Sequence, residues 1–323
     1  MWKMIVRRVL ILIPQLIAIS ILVFILAQAM PGDAISGMID PNLTAADLAH
    51  QRELLGLNDP LPIRYWNWIT GIILEGDFGQ SFRHRRAVSE LIAERVANTF
   101  YLALFTLILT YAIAIPLGIL AGRFKGTIID KSILLYIMVA LSMPTLVMGL
   151  VLIISLAYGL QWFPAGGSVS ALVLHGGNTW EIFTNYIHHM ILPALSGALV
   201  GTTGIIFMLR ANIIDRTYSD YVVMARSKGV PTRVIFNKHV LRNSLIPVTA
   251  GIGFAIVGLL MGTIFIEMIF VYPGVGTLFL DSISVRDFAV VNALILMFSS
   301  LTAIGMLISD ILLTIVDPRI RIR

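Results

Sequence analysis

Apolar residues are gathered into six blocks of about 20 residues, the length that a helix needs to cross the hydrocarbon core of a bilayer. Polar segments that hold most of the charged residues separate the blocks. Backbone groups in lipid must pair within their own segment, so we expect an all-α polytopic membrane protein with six transmembrane helices. The approximate limits are Val9–Ala29, Asn98–Ala121, Ser132–Tyr158, Met190–Leu209, Leu245–Val271 and Phe288–Ile308.

The first block has two interpretations. Lys3, Arg7 and Arg8 precede it, and Ala27-Gln28-Ala29 at its end resembles a signal-peptidase site. Its apolar run of about 20 residues is longer than the 7–15 of a usual signal peptide. We therefore expect a retained helix, with a cleaved signal as the alternative, and either interpretation leaves the later topology unchanged.

Composition supports the membrane assignment and narrows the chemistry. Of the 323 residues, 58% are hydrophobic and 13% are charged, which excludes an ordinary soluble enzyme, a disordered protein and a nucleic-acid binder with a hydrated basic face. The chain has no cysteine, so disulfides, zinc–thiolate sites, iron–sulfur clusters and thiol nucleophiles are excluded as well.

The distribution of charge predicts the orientation. Sixteen of the 23 lysine and arginine residues lie in the N-terminus, the 122–131 loop, the 210–244 loop and the C-terminal tail. Most acidic residues lie in the alternate segments, which include the long loop 30–97. Since cytoplasmic loops carry the excess of basic residues, both termini are predicted to be cytoplasmic.

Two regions follow from this topology. Residues 1–97 form an N-terminal transmembrane helix with a long extracytoplasmic loop, and residues 98–323 form a core five-helix domain with the cytoplasmic loop 210–244. The outer loop is either a structured cap or a docking surface for an external partner. Glu267 and Asp310 lie within or at the end of spans, and each has either a structural or a transport role.

The loop 210–244, which we call the inner loop, contains two predicted helical stretches. Ser219–Lys228 and Thr232–Asn243 meet at Gly229-Val230-Pro231, where glycine suits a helix end and proline suits the next first turn. The second stretch is amphipathic. It either lies on the inner membrane surface or packs its apolar side into a groove on a cytoplasmic partner.

In the order of its residues from Tyr221 to Gly229, the inner loop resembles the EAA loop of bacterial ABC-importer permeases. Ala225 and Gly229 match that motif, whereas Val223 and Met224 stand where Glu and the first Ala are usual. The departures resemble the dipeptide/oligopeptide/nickel branch, and most of all its oligopeptide B subunits. Two blocks carry the resemblance to this branch, Ala225-Arg-Ser-Lys-Gly229 and Lys238-His-Val-Leu-Arg-Asn-Ser-Leu-Ile-Pro247.

Further blocks extend the resemblance to nearly the full length of the chain. They are Pro31-Gly32-Asp33, Leu55-Gly56-Leu57, Gly76-Asp77-Phe78-Gly79, Ser142-Met143-Pro144, His189-Met190-Ile191-Leu192-Pro193, Glu267-Met268-Ile269-Phe270, Tyr272-Pro273-Gly274-Val275-Gly276 and Asp317-Pro318-Arg319-Ile320-Arg321.

The resemblance implies a type I ABC importer permease fold in a bacterial or archaeal cytoplasmic membrane. Such a subunit is non-catalytic and passes short peptides delivered by an extracytoplasmic binding protein. It pairs with a homologous second permease, and two cytoplasmic ATPase subunits bind ATP and Mg²⁺. The sequence agrees with this division, since it contains no G-x4-G-K-[ST] phosphate loop.

Alternatives remain for the substrate and for the class of protein. Nickel or a glutathione-type compound is the alternative substrate within the same branch, and an ion-coupled secondary transporter is the alternative class. A membrane enzyme is disfavoured because neither G-x-S-x-G nor H-E-x-x-H occurs.

The resemblance also implies which residues carry the function. Pro231–Asn243 would be the coupling helix that transmits ATPase motion, anchored by Val234, Phe236 and Leu241 and oriented by Arg233, Lys238 and Arg242. The predicted coupling residues are Ala225, Arg226, Lys228, Gly229, Arg233, Val234, Phe236, Lys238, His239, Leu241 and Arg242. The predicted residues of the translocation path are Ser142, Thr145, Met148, Phe254, Gly258 and Glu267.

Glycine pairs four residues apart permit close helix approach, either inside the subunit or against the second permease. The pairs are Gly118/Gly122, Gly197/Gly201 and Gly258/Gly262.

Overall fold

The computed structural model describes residues 2–29 and 58–316, and the regular structure in this part is helical. A single antiparallel bridge joins Gln80 and Ala87 within it. The sequence blocks at 31–33, 55–57 and 317–321, and the side chain of Asp310, lie outside the described residues.

The helices are α1 (Trp2–Ala29), α2 (Leu61–Thr70), α3 (Val88–Arg123), α4 (Ile128–Ser142), α5 (Thr145–Leu152), α6 (Ala171–Gly176), α7 (Thr179–Thr217), α8 (Asp220–Ser227), α9 (Thr232–Ile235), α10 (Arg242–Ala250), α11 (Ile252–Ile269), α12 (Val275–Ser284) and α13 (Phe288–Val316).

Three helices in the described part are long and apolar enough to cross a bilayer. They are Val88–Arg123, Thr179–Thr217 and Phe288–Ser309, and the number rises to four if a bent helix pair forms one span. The structure therefore confirms an all-α membrane architecture, while the six-span count stays a prediction.

The third apolar segment differs from the single helix that the sequence predicts. α4 ends at Ser142, Met143 is extended, and α5 begins after Pro144, with a bend of 105° between the two arms. Proline disfavours helical geometry in the residue before it and offers no amide hydrogen, so Met143 leaves the helix here. Pro116 and Pro193 lie inside the unbroken helices α3 and α7.

The chain divides into two compact units. One contains Phe100–Tyr272 with the residues from Gly305 onward, and the other contains Trp2–Thr99 with Pro273–Ile304. The sequence-based division at residues 97 and 98 lies close to the first boundary. It does not anticipate that residues 273–304 group with the N-terminal part.

In the first unit, α7 packs against α4, α5, α10 and α11. α3 also approaches α7 closely, because a Cβ atom on Gly122 would lie 2.7 Å from Ile213 Cβ and one on Gly118 would lie 3.0 Å from Leu209 Cβ. A Cβ on Gly197 would lie 2.8 Å from Ile266 Cδ1. Gly118, Gly122 and Gly197 thus serve packing inside the subunit. The surroundings of Gly258 and Gly262 lie outside the described part.

In the second unit, the aromatic side chains of α2 pack on α1. The Phe24 ring centroid lies 5.5 Å from that of Tyr65 and 5.7 Å from that of Trp68. The hydroxyls of Ser20 and Tyr65 share a hydrogen bond of 2.7 Å. The aromatic run that begins at Tyr65 therefore holds α2 against α1.

The turn at residues 76–81 is anchored to a buried carboxylate. Gly76 and Gly79 have φ angles of +66° and +87°, and Gly79 N–H donates to Asp77 Oδ1 at 2.8 Å. Ser81 Oγ and the amide of Arg83 both donate to Oδ2 of Asp287, which is buried. Asp287 thereby connects the turn to the segment before α13.

We expect Asp287→Ala to loosen this turn. Ser81 and the Arg83 amide would lose a charged acceptor, at a cost of about 1.5–3 kcal/mol per bond. The measurement is the rate of trypsin cleavage at the arginines 83, 85 and 86 in the purified protein. The control is Asp281→Ala at an exposed carboxylate, and equal cleavage rates in the two variants would contradict the prediction.

Candidate functional site

The inner loop begins where α7 ends and is built from two short helices joined by a tight turn. The amide of Gly229 donates to Arg226 O at 2.9 Å, and the amide of Val230 donates to Ala225 O at 3.2 Å. These two bonds form a Schellman motif at the end of α8. Gly229 has φ +76°, in the left-handed region that favours glycine. Pro231 then precedes α9 with φ −58°.

The second helical stretch extends further than predicted. α9 passes through a π-helical turn, Phe236–Leu241, and continues as α10 to Ala250. The sequence places the end of this stretch at Asn243. The helical path instead leads almost directly to α11, which begins at Ile252.

One face of the inner loop is buried within the subunit. We call its buried cluster the loop core, which consists of Leu209, Ile213, Val222, Ile235, Val240 and Val248. Phe236 and Leu241 are half-buried and pack against this core. The sequence predicts that both anchor a partner, but their side chains are used to hold the loop against α7. Ala225 also packs there.

The opposite face carries the exposed residues. Val234 is 43% exposed, as a docking residue requires. His239 is half-buried. The exposed basic residues are Arg226, Lys228, Arg233, Lys238 and Arg242.

Two exposed apolar residues were missed by the sequence reasoning. Val223 and Met224 on α8 are 54% and 56% exposed. They entered the sequence comparison only as departures from the EAA pattern. The sequence does contain a signal, because three consecutive apolar residues cannot all face the same side of a helix. In the structure Val222 is the buried one, and its two apolar successors turn to the other side.

The predicted path residues have different environments. Met148 and Glu267 are buried, Thr145 is half-buried, and Ser142 is exposed with its hydroxyl donating to Met138 O. The surroundings of Phe254 and Gly258 lie outside the described residues. A shared translocation path for these residues stays a prediction.

The histidines near the predicted outer boundary contact backbone carbonyls. His188 Nε2 lies 3.0 Å from Trp162 O, and His189 Nδ1 lies 2.8 Å from Asn185 O. In the part of the chain that the structure describes, no three histidine, aspartate or glutamate side chains are grouped as metal ligands.

Comparison with known proteins covers the whole chain. Residues 114–322 match the family described as binding-protein-dependent transport system inner membrane component. Residues 1–103 match the N-terminal model of the same kind of membrane component.

Curated relatives and a solved structure agree with that family. The oligopeptide transport system permease protein AppB of Bacillus subtilis is 40% identical over 98% of both chains. The glutathione transport system permease protein GsiC of Salmonella choleraesuis is 33% identical over 99% of both chains. A structure of the MetNI methionine ABC transporter in inward-facing conformations shares the fold, with a TM-score of 0.53 at 13% identity, over 71% of this chain and 97% of that one. The chain therefore belongs to the family of binding-protein-dependent inner-membrane transport components, and it is a permease subunit of an ABC importer.

Proposed function

We propose that this permease passes short peptides, delivered by an extracytoplasmic binding protein, across the cytoplasmic membrane. The observation that carries the substrate assignment is the 40% identity to an oligopeptide permease over nearly the full length of both chains. A glutathione-type compound is the second candidate, because a glutathione permease matches over the same extent at 33% identity.

In the proposed assembly, this chain crosses the membrane six times with both termini in the cytoplasm. The excess of basic residues in the N-terminus, the 122–131 loop, the inner loop and the C-terminal tail supports this orientation. The chain pairs with a homologous second permease and with two ATPase subunits, which bind ATP and Mg²⁺. No catalytic step is assigned to this chain.

The inner loop is the proposed attachment site of an ATPase subunit. The exposed side chains of Val223, Met224 and Val234 supply an apolar contact, and the surrounding basic residues orient it. Apolar anchors surrounded by polar side chains are the usual composition of a specific protein interface.

The packing of the inner loop supports a route for the motion. Val222, Ile235 and Val240 lie behind the exposed residues and pack with Leu209 and Ile213 of α7. Close-packed interiors transmit displacement rather than absorb it. A pull on the exposed face would therefore move the end of α7. The helical connection through α10 would transmit the same motion to α11.

Uptake by the complete transporter in vesicles tests the proposed function. We expect ATP-dependent uptake of labelled short peptides, with a preferred length, when the binding protein is supplied. Glutathione and nickel serve as competing substrates. Uptake driven by an ion gradient without ATP would contradict the importer mechanism, and transport of glutathione or nickel alone would contradict the peptide assignment.

We expect Met224→Glu to weaken attachment of the ATPase subunits. A carboxylate forced into an apolar contact loses hydration, so recovery of the ATPases with the tagged permease should fall about tenfold or more. The control is Leu172→Glu, an equally drastic change at an exposed apolar residue of α6, in the segment between the third and fourth predicted spans that the charge distribution places outside. Unchanged recovery in Met224→Glu would place the attachment site elsewhere.

A further inference from the structure

A cavity of about 410 Å³ opens beside the inner loop. The end of α3, the end of α7 and the helices α8 and α9 enclose it. Its functional groups are Arg123, Lys125, Tyr218, Arg226 and Phe236. None of the docking residues Val223, Met224 and Val234 lines it, so the cavity lies outside the proposed apolar contact with the ATPase and shares only Arg226 with the basic residues assigned to that contact.

The cavity is strongly cationic. Arg123, Lys125 and Arg226 line it, and no carboxylate does. Within residues 2–29 and 58–316, none of the three forms an ion pair. The neighbouring carboxylate of Asp130 is already neutralised by Arg210, at 2.6 Å. Three cations without an ion-pair contact in the described part of the chain favour an anionic ligand at this cavity.

Aromatic rings hold two of the cations in place. The Arg123 guanidinium carbon lies 5.0 Å from the centroid of Phe236 and 5.5 Å from that of Phe124. Lys125 Nζ lies 5.7 Å from the centroid of Tyr218. A guanidinium stacked on a ring keeps its N–H edge available, and that edge matches the oxygens of a phosphate.

Apart from Thr217 and Thr232, the remaining lining is apolar and lies next to the membrane segments. Ile214, Val222, Ile235 and Val240 form this part of the wall. α3 carries no charged residue between Val96 and Gly122, so the cations come directly at the end of a span. An amphipathic cavity at that depth fits a charged headgroup with the glycerol and upper acyl chain attached, better than a fully hydrated anion.

We propose that this cavity binds the phosphate headgroup of an anionic phospholipid of the cytoplasmic leaflet. Arg123, Lys125 and Arg226 hold the phosphate oxygens, and the apolar wall contacts the lipid backbone. The assignment to the cytoplasmic leaflet rests on the orientation of the chain proposed above. The binding itself does not depend on transport.

Lipid retention by the assembled transporter tests this proposal. The complex is reconstituted with phosphatidylglycerol and phosphatidylcholine, extracted in detergent, and examined by native mass spectrometry for retained lipid. We expect Arg123→Gln with Lys125→Gln to lower retention of phosphatidylglycerol about thirtyfold, since each basic residue contributes about a factor of five. Lys131→Gln, at an exposed cation outside the cavity, should retain lipid like the wild type.

The charge-retaining pair Arg123→Lys with Lys125→Arg separates a binding loss from a folding defect, because it should restore most of the retention. Equal retention in the neutralised and wild-type complexes would overturn the proposal. Displacement of the lipid by free inorganic phosphate would identify a soluble phosphate compound as the ligand and would also overturn it. Loss of the ATPase subunits at unchanged lipid retention would assign the cavity to the ATPase contact instead. Failed peptide uptake with normal lipid retention would affect only the proposed function.

Discussion

A Gly229→Val permease is expected to reach the membrane but to lose substrate stimulation of ATP hydrolysis by about tenfold or more. Gly229 has φ +76°, and a β-branched residue is strained there by about 1–3 kcal/mol. Relief of that strain requires a different turn, which changes the direction of α9. Val234 would then no longer face a partner together with Val223 and Met224. The measurement is ATP hydrolysis by the reconstituted complex with and without loaded binding protein.

The control for this prediction is Gly229→Asn. Asparagine adopts the left-handed conformation at low cost, and no atom lies within 4 Å of the position of its Cβ. We therefore expect it to keep most of the coupling. Equal loss in both variants would indicate that the partner excludes any side chain at this position. Normal coupling in the valine variant would remove the turn from the mechanism.

A large loss of stability is expected from Asp130→Asn. The carboxylate of Asp130 accepts from Arg210 Nε at 2.6 Å and from Nη2 at 2.9 Å, and the amide of Gly126 donates to it as well. The side chain of Asp130 is 2% exposed and that of Arg210 is 19% exposed. Removing one partner leaves a buried charge without its counterion, at a cost of about 3 kcal/mol. The measurement is the temperature at which the detergent-solubilised protein loses its monodisperse peak.

An exposed ion pair of the same length provides the control. Arg86 Nη2 lies 2.6 Å from Glu94 Oε1, but these side chains are 45% and 53% exposed. Glu94→Gln should therefore leave the unfolding temperature almost unchanged. The double variant Asp130→Leu with Arg210→Met should recover much of the loss, because apolar residues can replace a buried pair. If the stability loss of the double variant equals the sum of the losses of its two single variants, the two residues do not interact.

Much of the architecture follows from the sequence alone, because apolar block length and charge placement depend on the solvent rather than on neighbours. The end of α8 at Gly229 is equally local, and the structure confirms it. The break at Met143 does not follow from the sequence alone. Proline stands inside α3 and α7 without breaking them, so surrounding packing decides whether a helix ends there.

The inner loop shows where sequence patterns stop being informative. Phe236 and Leu241 are apolar residues of an amphipathic helix, and the pattern cannot tell whether an apolar side meets the same chain or another one. The structure shows that they pack on the loop core, which leaves Val223 and Met224 as the exposed apolar side chains of α8. The grouping of residues 273–304 with the N-terminal unit was out of reach for the same reason.

The contact of Gly118 and Gly122 with Leu209 and Ile213 limits how relatives of this permease can diversify. A single added methyl group on Gly122 already exceeds the space between α3 and α7. The two helices cannot slide along each other without moving Leu209 and Ile213 away from the glycines, so α3 and α7 move together as a rigid pair. A substitution that adapts the path to larger or smaller cargo is therefore more easily accepted on another helix, because a side chain at either glycine forces α3 and α7 apart.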